Sequence, residues 1–137
     1  MKRFFVLVLA VLALRMTDVA AEDATTAADK AAQEWLALVD AGRYADSWSE
    51  ASQVFKNGVS RADWKNAVES VRAPLGALKS RTLQSADAKT ELPGVPKGEY
   101  VVLTYRADYE HKSAATETIT PARDADGHWR IAGYYIR

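Results

Sequence analysis

The chain predicts an α+β domain, with three N-terminal helices packed on a four-stranded antiparallel meander. Three observations carry this expectation. Apolar residues recur at helical spacing between Ala28 and Val71, then switch to strand alternation that is sharpest from Val101 onward. The alternating segments are joined by short turn-forming stretches, which favours strands that follow one another in a meander with the helices on one face. The final stretch, Gly127-His128-Trp129-Arg130-Ile131-Ala132-Gly133-Tyr134-Tyr135-Ile136-Arg137, is dense in β-branched and aromatic residues and free of proline, so it reads as a strand in need of cover.

Before the first helix, Lys2 and Arg3 precede an apolar run from Phe4 to Leu14 and a polar stretch ending Val19-Ala20-Ala21, the anatomy of a secretory signal. The run of 11 residues falls well short of the ~20 that span a bilayer. Cleavage is expected after Ala21, leaving a single exported domain over residues 22–137, periplasmic or secreted, with no stable membrane anchor. Excision removes Lys2, Arg3, Arg15 and Asp18, leaving 15 basic and 17 acidic residues and a net charge of −2. That balance provides no electrostatic footprint for nucleic acid. With no cysteine, the domain must rest on an ordinary core, and the four tryptophans mark where it should lie.

The first helix is expected to start at Thr26, with Asp29 at the capping-box position, and to bury Ala28, Ala31, Trp35, Leu38 and Val39 until Gly42 ends it. The second carries Tyr44, Trp48, Ala51 and Phe55 at spacings of 4, 3 and 4, up to Asn57-Gly58. The third has Ser60 as cap and Asp63 in its first turn, with Trp64, Ala67, Val68 and Val71 facing inward. Pro74 pushes Ala73 toward extended geometry, and Gly76 loosens the chain further.

From Ala77 to Ala88 weak alternation and interspersed charge predict an edge strand. Leu92-Pro93-Gly94-Val95-Pro96-Lys97-Gly98 is a loop. Val101, Leu103, Tyr105, Ala107 and Tyr109 then share an inner face. After a turn at Glu110 to Ser113, Ala115, Glu117, Ile119 and Pro121 alternate with Thr116, Thr118 and Thr120. In the last strand, parity places Trp129, Ile131, Gly133 and Tyr135 inward, with Arg130, Ala132, Tyr134 and Ile136 on the other face. Gly133 marks a bend, bulge or close approach. There is no internal repeat, since Trp35, Trp48 and Trp64 are 13 and 16 apart in unlike surroundings.

Candidate chemistry is sparse. His111 and His128 sit beside turns, no metal-ligand spacing exists, and nothing implies a cofactor. Asp124-Ala125-Asp126-Gly127 lacks the rest of a calcium loop and reads as a hairpin turn. Glu117 is the most informative residue: if Ile119 points into the core, so does Glu117, and a buried carboxylate needs a partner such as Arg72, Arg81, Arg106 or Arg130. Aromatic residues including Trp48, Tyr105, Trp129 and Tyr135 would either complete the core or line a cavity beside it.

The ordered set Trp35 to Tyr44 with Ser47-Trp48, Arg72-Ala73-Pro74-Leu75-Gly76, Leu92 to Tyr100, Glu117 to Pro121 and Gly127 to Ile136 resembles a bacterial secreted family known as domain of unknown function 4019. The helix pair, the Pro-Leu-Gly joint and the terminal strand also resemble the nuclear-transport-factor-2-like (NTF2-like) or cystatin-like superfamily. That resemblance implies a curved sheet wrapped around a long helix, often with a pocket at the wide end. It implies no activity.

Three expectations follow. The first is non-catalytic binding of a small apolar or amphipathic ligand, or a peptide, at a site drawn from Glu117, Arg72, Trp48, Tyr105, Trp129 and Tyr135. The second is an isomerase or dehydratase with Glu117 as base and Tyr105 or Tyr135 as donor. The third is an envelope interaction module that forms a homodimer through the sheet.

Overall fold

The computed structural model describes residues 23–137, and the expected signal segment, residues 1–21, lies outside them. Helix α1 covers 23–40. It is followed by α2 (Tyr44–Glu50), α3 (Gln53–Gly58) and α4 (Arg61–Arg72), then by strands β1 (Leu78–Lys89), β2 (Tyr100–Tyr109), β3 (Lys112–Arg123) and β4 (Trp129–Ile136). The four strands form one antiparallel sheet in the order β1-β2-β3-β4, the expected meander with β1 at an edge. Among the described residues no helix is long and apolar enough to cross a membrane.

The helices depart from expectation in their bounds and number. α1 is already helical at residue 23, so Thr26 is not its cap. Ala24, Ala27 and Ala28 have high helix propensity and flank the poorer helix formers Thr25 and Thr26, so the helix runs through that point. Gly42, with φ of +75°, ends α1 as expected.

The predicted second helix is two, because Ala51 turns to extended geometry (ψ 166°) and Ser52 caps α3 with its hydroxyl on the Val54 N–H. The Ser52 N–H donates instead to the Ile131 carbonyl at 2.8 Å, so the helix breaks where it ties itself to β4. Ser60 caps α4 through the Asp63 N–H, as read from sequence.

The buried stripe of α4 is Trp64, Val68 and Arg72 rather than the apolar set expected. Ala67 is exposed and Val71 is 45% exposed, since the i, i+4, i+8 line turns an arginine inward. Ala73 stays in the right-handed helical region, within a 3-10 turn over Ala73–Leu75. Pro74 fits that turn because its first positions need no N–H donor. Gly76 then lets the chain pass the β2–β3 turn, where a Cβ would meet Glu110 Cβ at 2.9 Å.

On the sheet, alternation holds through β2 and β3: Val101, Leu103, Tyr105, Ala107, Tyr109, Ala115, Glu117, Ile119 and Pro121 are buried. It fails in β4. Thr120 pairs with Gly133 but Pro121 pairs with Ile131, leaving Ala132 as an extra residue. This bulge shifts parity by one, so Tyr134 packs inward and Tyr135 is 56% exposed. The main core brings Trp35 within 5.7 Å of Trp64 and 5.5 Å of Tyr134, with Phe55 edge-on to Trp64 at 4.9 Å. A smaller apolar cluster forms around Ala107, Tyr109 and Ala115.

Candidate functional site

Glu117 lies on β3 between the main core and the smaller cluster, opposite Tyr105 on β2 and Ile136 on β4. It is 0% exposed. A bare carboxylate there would be costly, and four groups offset that cost. Arg81 Nε donates to Oε1 at 2.7 Å, the Tyr134 hydroxyl donates to Oε2, and Arg72 Nη1 lies 3.9 Å from Oε2. The fourth group acts indirectly. Asp40, in the last turn of α1, accepts from Arg81 Nη1 at 2.7 Å, Arg81 Nη2 at 3.0 Å and Arg72 Nη2 at 2.6 Å. Two carboxylates and two guanidiniums thus balance within one cluster.

The charge states follow from this geometry. Burial opposes ionisation of Asp40, but hydrogen bonds from Arg81 and Arg72 outweigh it and hold the carboxyl below its usual range. Burial likewise works against Arg81 and Arg72, yet their carboxylate partners keep both more basic than a free arginine. Burial, reinforced by the Glu117 charge, pushes the Tyr134 phenol upward, so it acts as a hydrogen-bond donor. Tyr109 packs its ring 4.9 Å from the Arg72 guanidinium, and burial followed by the Glu117 charge raises its hydroxyl to about 12. That hydroxyl is buried without a hydrogen-bond partner among the described residues.

Of the residues expected at the site, the structure brings together Glu117, Arg72 and, at the margin, Tyr105. Tyr105 directs its hydroxyl to Asp29 on α1, which also accepts from Gln33 at 2.8 Å. Trp48 is elsewhere: its indole N–H donates to the Val59 carbonyl at 2.8 Å, and Arg61 covers its ring at 5.1 Å. Trp129 lines a different groove. Tyr135 faces away from the core because of the β4 bulge, and the Arg137 guanidinium lies 5.9 Å from its ring. Among the candidate partners of Glu117, Arg106 pairs with Asp108 and Arg130 with Asp124 and Asp126, so neither reaches it. The turn read at Asp124 to Gly127 is held by those last contacts.

Asp40 and Tyr134 were not foreseen at the site, whereas Tyr109 faces inward beside Tyr105 as its strand parity predicts. Asp40 did leave a signal, since an aspartate at a helix C-terminus runs against the helix dipole and implies a nearby cation. Ser47 is a further unforeseen residue: buried in α2, its carbonyl accepts from Trp35 Nε1 at 2.8 Å and its Oγ from Trp64 Nε1 at 2.9 Å.

Two clefts flank the polar cluster. One, of about 240 Å³, lies between α1 and β1, with Asp40, Arg81 and Tyr105 in its wall and Leu83, 41% exposed, at its rim. The other, of about 580 Å³, lies between α3, the loop at Gly94-Val95-Pro96 and the β4 bulge, and has Phe55, Val59, Trp64 and Tyr134 in its wall. Asn57 is the most polar side chain there, and no charged residue lines it. Tyr134 joins this cleft to the cluster, with its ring in the wall and its hydroxyl on Glu117. Among the described residues no group of histidine and carboxylate side chains could hold a metal ion.

The fold and these sites define a class: an α+β domain whose helices cover one face of an open antiparallel sheet, with a charge-balanced cluster between them that is buried at Glu117 and Arg72 and opens to a cleft at Asp40 and Arg81. Residues 31–134 match the model of the family of proteins of unknown function DUF4019, and the chain belongs to that family. No curated protein matches it.

Proposed function

We propose that this chain is an exported, non-catalytic binding domain of NTF2-like or cystatin-like type, which takes a small apolar ligand in the cleft walled by Phe55, Trp64 and Tyr134. The observation that carries the reading is an uncharged cleft of about 580 Å³ in a domain whose buried acid is already neutralised. Ligand sites are commonly apolar clefts of roughly this size with a few oriented polar groups. Export rests on residues 1–21, whose charged start, short apolar run and Ala20-Ala21 ending have the form of a signal. The isomerase or dehydratase alternative has less to support it. A general base must lie within reach of substrate, and Glu117 is 0% exposed and lines neither cleft, with Arg81 and Tyr134 on its two oxygens.

The test uses the naphthalene dye 1-anilinonaphthalene-8-sulfonate and a straight-chain alcohol such as octanol. Octanol should displace the dye from the folded protein, and Val95→Asp, which places a charge on the cleft wall, should weaken both at least about tenfold. Dye binding that is absent, or that survives Val95→Asp unchanged, would remove the cleft from consideration. A peptide is the second reading, because Ala132, Gly133 and Tyr134 of the cleft belong to edge strand β4. An extended peptide would protect the outward amides of Tyr134 and Ile136 from hydrogen exchange, whereas octanol would not. A sheet-mediated homodimer would have to be built around Tyr135, and sedimentation distinguishes it from a monomer.

A further inference from the structure

A third groove, of about 410 Å³, lies between α1, α2 and the start of β4, apart from the polar cluster and from the cleft proposed above. Trp129 forms part of its wall. The other three tryptophans have committed indole N–H groups, to the Ser47 carbonyl, the Val59 carbonyl and Ser47 Oγ. Trp129 alone keeps a free indole N–H among the described residues, on a half-buried ring.

The groove's charged side chains are of both signs. Glu34, Asp46 and Glu50 contribute acceptors, and Arg43 and Arg130 contribute donors. Most of them are oriented by neighbours: Arg43 Nε holds Asp46 at 2.8 Å, and Arg130 is fixed by Asp124 at 3.0 Å and Asp126 at 2.8 Å. Glu50 has no ion pair or hydrogen bond from its side chain among the described residues.

This chemistry narrows the ligand. Arg43 is taken by Asp46 and Arg130 by Asp124 and Asp126, so the groove offers a simple anion no unpaired guanidinium; Glu34 lies 3.8 Å from Lys30, which leaves a simple cation the single unpartnered carboxylate of Glu50. An indole in the wall with a free N–H, near an unpartnered carboxylate, suits a ring that carries hydroxyls, since each hydroxyl both donates and accepts. We infer that the Trp129 groove is a binding site for a pyranose oligosaccharide, which stacks on the indole and hydrogen-bonds to Glu50 and the Trp129 N–H.

The experiment follows the four indole N–H resonances of the ¹⁵N-labelled protein during titration with chitotriose and, separately, maltotriose. At least one trisaccharide should move the Trp129 resonance saturably, more than that of Trp35 in the same wall, and leave those of Trp48 and Trp64, which do not line the groove, in place. Glu50→Ala, at an exposed position without a partner, should keep the fold and weaken binding about tenfold. Trp129→Phe keeps an aromatic face but loses the donor, and should also weaken it. No shift with either sugar at millimolar concentration would overturn the assignment. So would a Trp129 shift produced by spermidine and by neither sugar, which would make the groove a cation site.

Discussion

Tyr109 is buried and Tyr134 half-buried beside Arg72 and Glu117, but only Tyr134 has a hydrogen bond for its hydroxyl. The two phenols should therefore respond oppositely to the same change. Tyr134→Phe removes a bond to an ionised carboxylate and should cost about 1.5–3 kcal/mol, whereas Tyr109→Phe discards an unpaired polar atom and should be neutral or stabilising. Urea denaturation of the two variants measures the difference, and equal losses would mean that Tyr109 is bonded in solution. At this scale Glu117 was legible, because strand alternation ties it to Ile119. Arg81 was among its foreseeable partners. Asp40 and Tyr134 were not, since one lies 41 residues from its partner Arg81 and the other is turned inward by a bulge.

Two elements were misjudged for the same physical reason, a local break stabilised by a distant contact. The apolar stripe of Tyr44, Trp48, Ala51 and Phe55 reads as continuous, yet the chain divides at Ala51-Ser52, where the Ser52 N–H finds the Ile131 carbonyl. In β4, Ile131 lies directly before the bulged Ala132. Helix break and bulge are thus neighbours, joined by one hydrogen bond of 2.8 Å. Ser52→Ala removes the hydroxyl that caps α3 and should destabilise the protein by about 1 kcal/mol, read as a lower denaturation midpoint at unchanged slope. No destabilisation would mean that the backbone tie alone holds the break. The edge character of β1, the turn at Asp124 to Gly127 and the Ser60 cap were all readable, because each depends on residues close in sequence.

For the whole molecule, the Asp40 and Glu117 pairs with Arg72 and Arg81 link α1, α4, β1 and β3, so the cluster ties the helical layer to the sheet. Arginine partners hold Asp40 below its ordinary 3.8 in the folded state, whereas the unfolded chain has no such partners. The folded protein therefore binds fewer protons than the unfolded one across that interval. The stabilisation is fully present above about pH 4 and is lost as pH falls through the folded value. Asp40→Asn should accordingly be less stable than the parent at pH 7, with the gap narrowing at about pH 3 and below. Urea melts at both values check this, and a constant gap would exclude Asp40 as the linked group.

By itself, the sequence determined the α+β class, the strand order as a meander, the membership implied by its motifs and the inward direction of Glu117. Periodicity and turn chemistry act over a few residues and so can be read from a linear chain. Only the tertiary structure decided which cations meet Glu117, that Asp40 shares them, and that Tyr134 rather than Tyr135 lies in the core. Those outcomes depend on a one-residue bulge and on contacts across the chain, where desolvation and charge pairing in three dimensions outweigh local pattern.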